Sequence, residues 1–159
     1  MRRDGDARAG LRSLGQQDET VIRVVPLQRA AEAAPLLRVL RATLDDATFA
    51  LRLERAEAQG YRVLAALDGS AMVGALGYRL SDDLTWGRTL YVDDLVVAPD
   101  RRSSGIGRAL LAEARAQAAT SNCDHLRLCS GLSRIDAHRF YEANGLQRFS
   151  LQFVARMEE

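Results

Sequence analysis

The chain has 159 residues, 47% of them hydrophobic, and a formal net charge of +1, which predicts a single globular domain with a sizeable core. With no basic block beyond Arg101-Arg102 and no apolar run near the roughly 20 residues that a membrane span needs, the sequence argues against nucleic-acid and membrane partners. The charged N-terminus lacks the apolar stretch of a signal peptide and two cysteines are too few for a disulfide framework, so we expect a cytoplasmic protein.

The pattern of apolar residues and turn formers divides the chain into helices and strands. The first 19 residues are polar and glycine-rich, and we expect a disordered leader there, followed by one domain over residues 20–159. In chain order the predicted elements are a strand over 21–25, helices over 27–40 and 46–59, strands over 61–67, 71–80 and 89–97, a helix over 104–119, a strand over 125–130, a helix over 133–144 and a strand over 149–155. This order predicts an α/β fold with a mixed central sheet of about six to seven strands and helices on both faces.

Local signals mark two helix starts in this pattern. Asp45 or Asp46 is placed to cap the second helix. Ser133-x-x-Asp136 has the form of a capping box and predicts the start of the last helix.

The most informative stretch is the glycine-bearing loop between the strand 89–97 and the helix 104–119. A loop that opens directly into a helix leaves backbone N–H groups unpaired at the positive end of the helix dipole, which favours a phosphate. Gly105 and Gly107 keep side chains away from that backbone, and Arg102 adds a guanidinium that can bond phosphate oxygens in pairs. The sequence therefore predicts a phosphate-bearing ligand.

Two common phosphate-binding motifs are excluded by the residues around this loop. The chain contains no lysine, which the P-loop requires. A dinucleotide-binding fold would need a third glycine where Leu110 stands and an acidic residue where Arg127 stands. What remains is the pattern Arg-x-x-Gly-x-Gly over residues 102–107, directly after a Val-Val strand end.

Two segments together resemble a known family. Residues 93–99 running into 102–111 are similar to the acyl-CoA-binding motif of the GNAT N-acetyltransferase superfamily, and residues 137–146, with Phe140-Tyr141 and Gly145, are similar to a second segment of that family. The resemblance spans about residues 21–157 and implies a GNAT-like acyltransferase fold with acetyl-CoA as the acyl donor. The residues expected to bind the donor are Leu95, Val96, Val97, Arg102, Ser103, Ser104, Gly105, Ile106, Gly107, Arg108 and Arg134. Many members carry asparagine at the position of Arg134, where an arginine could reach a phosphate instead.

Acetyl transfer to an amine needs a group that frees the lone pair, because an amine with a pKa near 10 is protonated at pH 7. Asp93 and Asp94 are the candidates, and strand alternation predicts that they point to opposite faces. Asp93 is expected as the base because it would share a face with Leu95 and Val97, and because acidic residues at its position serve as the base in some relatives. Asp94 is then expected to bind substrate. A β-bulge here would reverse the choice, and either aspartate could simply pair with an arginine.

The remaining catalytic groups follow from the resemblance. The oxyanion is expected to receive a backbone N–H from residues 95–97, and Tyr141 is expected to protonate the departing CoA thiolate. Core packing is the structural alternative for Tyr141. No metal is expected, because Cys123, His125 and Cys129 on one strand face are too widely spaced and have no fourth ligand.

Two functional classes stay open. The favoured one is an enzyme that moves the acetyl group of acetyl-CoA to a primary amine of a small molecule, or less readily of a protein, by direct attack. The other is an acyl-CoA-binding module with little catalysis. The resemblance extends to bacterial small-molecule acetyltransferases, including those acting on aminoalkylphosphonates, and to diamine acetyltransferases. Anionic and cationic acceptors therefore both remain open, as does a homodimer.

Overall fold

The structure is a computed structural model that describes residues 21–157, so the leader expected over residues 1–19 lies outside the described residues. The strands are β1 (Ile22–Pro26), β2 (Arg62–Asp68), β3 (Ala71–Asp83), β4 (Gly87–Val97) and β5 (His125–Leu128). The α-helices are α1 (Ala34–Leu40), α2 (Asp46–Ala58), α3 (Ile106–Thr120) and α4 (Ile135–Ala143), and short 3-10 helices cover Ala30–Ala33 and Pro99–Arg101.

The strands form one sheet in the order β1-β2-β3-β4-β5. The strands β1 to β4 are antiparallel to their neighbours, whereas β4 and β5 are parallel, and α3 forms the crossover that a parallel pair requires. The predicted α/β fold with a mixed sheet is therefore confirmed. The sheet of the described residues has five strands, fewer than the six to seven expected.

The strand predicted over residues 149–155 accounts for the difference, and this prediction is wrong. Residues 146–157 follow α4 without regular secondary structure. A strand is stable only when its backbone groups pair with a neighbour, and within the described residues β5 pairs with β4 alone. The start of the segment packs on the body of the protein, where the ring of Phe149 lies 4.7 Å from that of Trp86.

Helices cover both faces of the sheet, as predicted. On one face α3 buries Ile106 and Leu110 against Leu76 and Leu90 of the sheet, which matches the four-residue spacing of apolar residues in its sequence. The opposite core contains Ala30, Ala33, Leu36, Leu37, Tyr61, Val63, Ala75 and Val96. The strand β4 contributes to both cores and therefore holds its C-terminal end in a fixed position between the two helical layers.

Helix ends agree with the sequence at α2 and differ at α4. Asp45 caps α2 by accepting a hydrogen bond from the Thr48 amide at 2.8 Å. The capping box predicted at Ser133 is wrong: α4 begins at Ile135, and its N-cap residue Arg134 makes no side-chain cap bond. A backbone turn replaces the box, since the Arg134 amide donates to the Gly131 carbonyl at 3.0 Å.

Candidate active site

The two parallel strands separate halfway along β4. Their pairing runs from Thr89 with His125 to Val92 with Leu128 and then stops, while β4 continues to Val97 along β3. Residues 93–97 therefore have β3 on one side and no described strand on the other. The result is an opening beside residues 93–97, where β4 has a free edge.

The backbone of β4 presents unpaired groups to this opening. The Ala98 amide donates to the Val73 carbonyl at 2.9 Å, so the backbone groups of Ala98 point toward β3. Because backbone groups alternate in direction along an antiparallel strand, those of Leu95 and Val97 point away from β3 and into the opening. These are two of the residues expected to meet the acyl donor.

The loop after β4 brings further donors to the same end of the sheet. Gly105 is the N-cap of α3, with a left-handed φ of 81° and no atom near the place of a Cβ. The first helical hydrogen bond is that of the Ala109 amide to the Gly105 carbonyl, so the amides of residues 106–108 have no helical partner. The first turn of α3 holds no acidic residue, and Arg102 and Arg108 are exposed without an ion pair to any described residue.

The residues of this loop divide into exposed and buried groups. Ser103 and Ser104 are exposed, and the Ser104 hydroxyl donates to the Arg101 carbonyl. Ile106 is buried in the core, so only its backbone can face a ligand. A Cβ on Gly107 would lie 3.2 Å from Cζ of Phe140 and 3.7 Å from Val97; its lack of a side chain thus lets α4 and β4 pack on the start of α3.

A β-bulge places Asp93 and Asp94 on the same face. The register pairs Gly77 with Asp94 and Tyr78 with Val92, which leaves Asp93 as the extra residue of β4. The predicted arrangement on opposite faces is therefore wrong, because a bulge shifts the alternation by one residue. Leu95 and Val97 lie with the α3 core, whereas Asp94 contacts Tyr61 of the opposite core.

Asp94 is held by a buried tyrosine and an arginine. The Tyr61 hydroxyl donates to Asp94 Oδ2 at 2.7 Å, and Arg41, which follows α1, donates to Oδ1. Burial, followed by the charge of Asp94, raises the pKa of Tyr61 well above its ordinary value. A Cβ on Gly77 would lie only 1.8 Å from the Tyr61 hydroxyl, so a bare backbone at Gly77 is what lets Tyr61 reach across β3.

Asp93 is held differently, by two nitrogen atoms of one guanidinium. Arg79 donates from Nε to Oδ2 at 3.0 Å and from Nη2 to Oδ1 at 2.7 Å. The hydrogen bonds that Arg79 donates to Asp93 raise the pKa of the guanidinium. Both oxygens of Asp93 are thus engaged by a bidentate ion pair, the stronger form of the contact, whereas Asp94 is shared between a fixed phenol and a half-exposed guanidinium.

Tyr141 lies on α4 beside the start of α3. Its neighbour Phe140 packs against Gly107, and the two aromatic rings make an edge contact with centroids 5.4 Å apart. Burial raises the pKa of Tyr141, and the positive charge of Arg134 opposes that rise.

Further side chains surround the paired part of β4 and β5. Burial, together with a hydrogen bond to Cys129, raises the pKa of Tyr91 to about 12. The guanidinium of Arg127 stacks over the Trp86 ring at 4.7 Å and bonds Asp83 at 2.9 Å.

No group of three potential metal ligands occurs among residues 21–157, and none of the helices in that range is long and apolar enough to cross a membrane.

The sequence analysis missed Tyr61, Arg41 and Arg79. Each lies 14 to 53 residues from the aspartate that it contacts, and side-chain pairs at such separations leave no periodic signal. One signal was present: a glycine inside a strand, here Gly77, often marks a bulge or a close approach of another group.

The comparisons with known proteins agree with this geometry. The sequence model of the Acetyltransferase (GNAT) family matches residues 29–146, more than half of the chain. The chain therefore belongs to the GNAT acetyltransferase family, and as a member it is an acetyl-CoA-dependent N-acetyltransferase.

The sequence is moderately similar to those of individual relatives. The chain is 35% identical over 112 residues to the uncharacterized N-acetyltransferase YhdJ of Bacillus subtilis (strain 168), a match that covers 70% of this chain and 79% of that protein. It is 36% identical over 63 residues to the aminoalkylphosphonate N-acetyltransferase of Salmonella typhimurium (strain LT2), which covers 40% of this chain and 41% of the relative.

Among solved structures, the fold is similar to AAC(6')-Iy in complex with the bisubstrate analog CoA-S-monomethyl-acetylneamine. The TM-score is 0.75 at 12% identity, over 87% of this chain and 99% of that one. At this identity the likeness establishes the fold alone.

We predict that Tyr61 makes folding stability depend on pH in the alkaline range. Since its pKa is raised in the folded state, its contribution is complete below about pH 10, the ordinary pKa of tyrosine, and declines as pH rises toward the folded-state pKa. In urea unfolding between pH 8 and pH 11, ionisation of Tyr61 should lower the free energy of unfolding of the wild type by up to about 1.4 kcal/mol per pH unit above pH 10. The variant Tyr61→Phe should lack this part of the pH dependence. Curves that stay parallel for both proteins over this range would contradict the assignment.

Proposed function

We propose that this protein transfers the acetyl group of acetyl-CoA to a primary amine of a small molecule by direct attack of the amine on the thioester. The observation that carries the proposal is the opening between β4 and β5, because it combines a free strand edge with unpaired amides at the start of α3. A thioester on an extended arm and a diphosphate need these two features side by side.

The donor is held mainly by backbone groups. Its diphosphate binds the amides of residues 105–108, with Arg102 and Arg108 adding charge-assisted bonds worth about 1.5–3 kcal/mol each. The serine pair at 103 and 104 completes the exposed loop. The pantetheine arm pairs with the open edge at residues 95–97, as an added strand would, and Arg134 reaches a phosphate or acts on Tyr141.

The acceptor amine binds at Asp94. Freeing the lone pair of an amine with a pKa near 10 costs roughly 4 kcal/mol at pH 7, so a carboxylate near the thioester lowers the barrier. The bulge removes the shared face with Leu95 and Val97 as a reason for preferring Asp93, and both oxygens of Asp93 are occupied by Arg79. Asp94 has one half-exposed partner, Arg41, which the ammonium of an acceptor can replace. Asp93, paired with Arg79, is then a structural residue at the side of the site.

The chemical step needs an oxyanion donor and a proton for the leaving group. Asp94 accepts a proton from the ammonium, the freed amine nitrogen attacks the carbonyl carbon, and the Leu95 or Val97 amide stabilises the oxyanion. The carbon–sulfur bond then breaks, Tyr141 donates its proton to the CoA thiolate, and the second proton of the nitrogen passes to the tyrosinate as the amide forms. This donation runs uphill by about 2 kcal/mol for ordinary pKa values, and burial of Tyr141 adds to the difference. Tyr141 therefore assists the step without controlling it.

The acceptor class rests on the charge balance of the site. Asp93 and Asp94 are matched by Arg79 and Arg41, so the cluster favours neither a strongly anionic nor a strongly cationic molecule. One relative is named for aminoalkylphosphonates and one structural neighbour holds an acetylneamine analog. A small molecule is preferred over a protein amine, because both names describe small acceptors.

The proposal extends to the whole chain. Residues 20–159 are taken as one acetyltransferase domain, and a cytoplasmic location is supported by the two free thiols at Cys123 and Cys129. A homodimer is part of the same proposal.

Release of CoA thiol from acetyl-CoA, measured against a panel of amines, tests the proposed function. At least one small primary amine should accelerate release, and Asp94→Asn should lower kcat/KM for it by about 100-fold, a typical effect for a general base. Asp93→Asn is the matched control and should lower it less than tenfold. Tight CoA binding without thiol release by any small amine would contradict a small-molecule acceptor, and a larger loss with Asp93→Asn would return the role of the base to Asp93.

The variant Tyr141→Phe should slow the reaction without abolishing it. Because water can replace a weak acid, kcat at saturating substrates should fall about tenfold, less than the roughly 100-fold or more expected for an essential acid. CoA affinity and the melting temperature, measured in parallel, should stay unchanged. An unaltered kcat would show that Tyr141 serves packing only.

A further inference from the structure

Arg41 connects the candidate active site to the segment between α1 and α2. It is the C-cap residue of α1, and its guanidinium donates to Asp94 Oδ1. The Arg41 side chain is 49% exposed, whereas that of Asp94 is 15% exposed. The mostly buried carboxylate is thus paired with a cation that solvent and small solutes can reach.

The backbone of this segment is fixed by Arg38. Its guanidinium donates to the Leu44 carbonyl at 2.7 Å, pairs with Asp46 at 2.9 Å and lies over the Phe49 ring at 5.0 Å. Two turn bonds close the same segment, from the Arg41 amide to the Arg38 carbonyl and from the Leu44 amide to the Arg41 carbonyl. The base of the Arg41 side chain is therefore held in place, while its rotatable bonds let the guanidinium move.

An acceptor ammonium at Asp94 leaves Arg41 without its partner. This displacement is part of the proposed function, and the inference drawn from it rests on that function. A mostly buried carboxylate needs a cation, so the ammonium takes over the contact that the guanidinium gives up. The two carboxylates at the start of α2 are already engaged, Asp45 as the helix cap and Asp46 by Arg38. The displaced guanidinium therefore meets no unengaged carboxylate at the start of α2.

The charge of the site indicates which group the guanidinium binds instead. The two aspartate–arginine pairs leave the cluster neutral. An amine with no other charge adds one positive charge to this partly buried cluster, whereas an amine that also carries an anionic group balances its own charge. Because charges interact more strongly away from water, the second kind of acceptor is favoured. A guanidinium binds a carboxylate or a phosphonate through two parallel hydrogen bonds, and Arg41 can supply them.

We propose that the acceptor is a small zwitterion, a primary amine joined by a short spacer to a carboxylate or a phosphonate, and that Arg41 determines this specificity. In the free protein Arg41 occupies the place of the ammonium at Asp94. When the acceptor binds, its ammonium replaces the guanidinium on Oδ1, and the guanidinium pairs with the anionic group of the acceptor. One ion pair is exchanged for two. The spacer is short because Arg41 starts from contact with the same carboxylate.

Kinetics with matched acceptors tests the assignment. β-Alanine and β-alaninamide differ in one group, a carboxylate against a neutral amide, while aminoethylphosphonate carries a phosphonate and putrescine a second cation. In the wild type, β-alanine or aminoethylphosphonate should have a kcat/KM at least about tenfold higher than β-alaninamide and putrescine, as expected for one added charge-assisted pair. The variant Arg41→Gln should remove this preference by raising KM for the anionic acceptors.

Arg23→Gln is the matched control, because Arg23 is exposed on β1, the edge strand at the other end of the sheet from β5. This variant loses the same charge and should keep the preference. Equal or higher kcat/KM for β-alaninamide or putrescine, or a preference that survives Arg41→Gln, would overturn the zwitterionic acceptor. Either result would leave acetyl transfer to a small amine intact.

A second test uses binding without turnover. Protein saturated with CoA, which carries no acetyl group, is titrated with the same amines, and their dissociation constants are measured by NMR. At least one of β-alanine and aminoethylphosphonate should bind about tenfold or more tightly than β-alaninamide to the wild type and to Arg23→Gln, but not to Arg41→Gln. Absence of this difference would overturn the assignment whether or not acetyl transfer occurs. Selective binding without thiol release would support the anion contact of Arg41 and contradict the proposed function.

Discussion

The site depends on where the parallel pairing of β4 and β5 ends. If the ladder continued past Val92 and Leu128, the backbone groups of Leu95 and Val97 would form hydrogen bonds with β5. The pairing of β4 with β3 continues to Val97, so this half-paired strand stays rigid while one edge remains open. An open strand edge is costly to bury, and an extended ligand with its own amides, such as the pantetheine arm, satisfies it.

The second constraint is the bulge at Asp93, because it decides which face of the sheet the side chains next to the open edge point to. It turns both carboxylates toward the core that contains α1 and Tyr61, away from the core beneath α3. In the proposed function, the donor therefore binds the backbone at one end of β4, and the acceptor binds side chains on one face of the same strand.

Much of this arrangement could be predicted from sequence, because it depends on local patterns. The strand before Pro99, the glycine at the N-cap of α3 and the buried stripe of α3 all lie within a few residues of their predicted places. The face occupied by Asp93 could not be predicted, since a bulge has no signature in β4 itself and its cue lies in Gly77 on the neighbouring strand. At residues 149–155 the sequence has the pattern of a strand, but the structure has no strand there, because the pattern alone does not supply a partner strand.

The most direct test of the account is the difference in affinity between CoA and pantetheine, which lacks the diphosphate together with the phosphorylated adenosine. Titration calorimetry with the pure, folded protein should show CoA binding at least about 100-fold more tightly, because two charge-assisted bonds at residues 102–108 contribute roughly 3 kcal/mol or more. Equal affinities, or no heat on adding CoA, would contradict the claim that unpaired amides at the start of α3 hold a diphosphate.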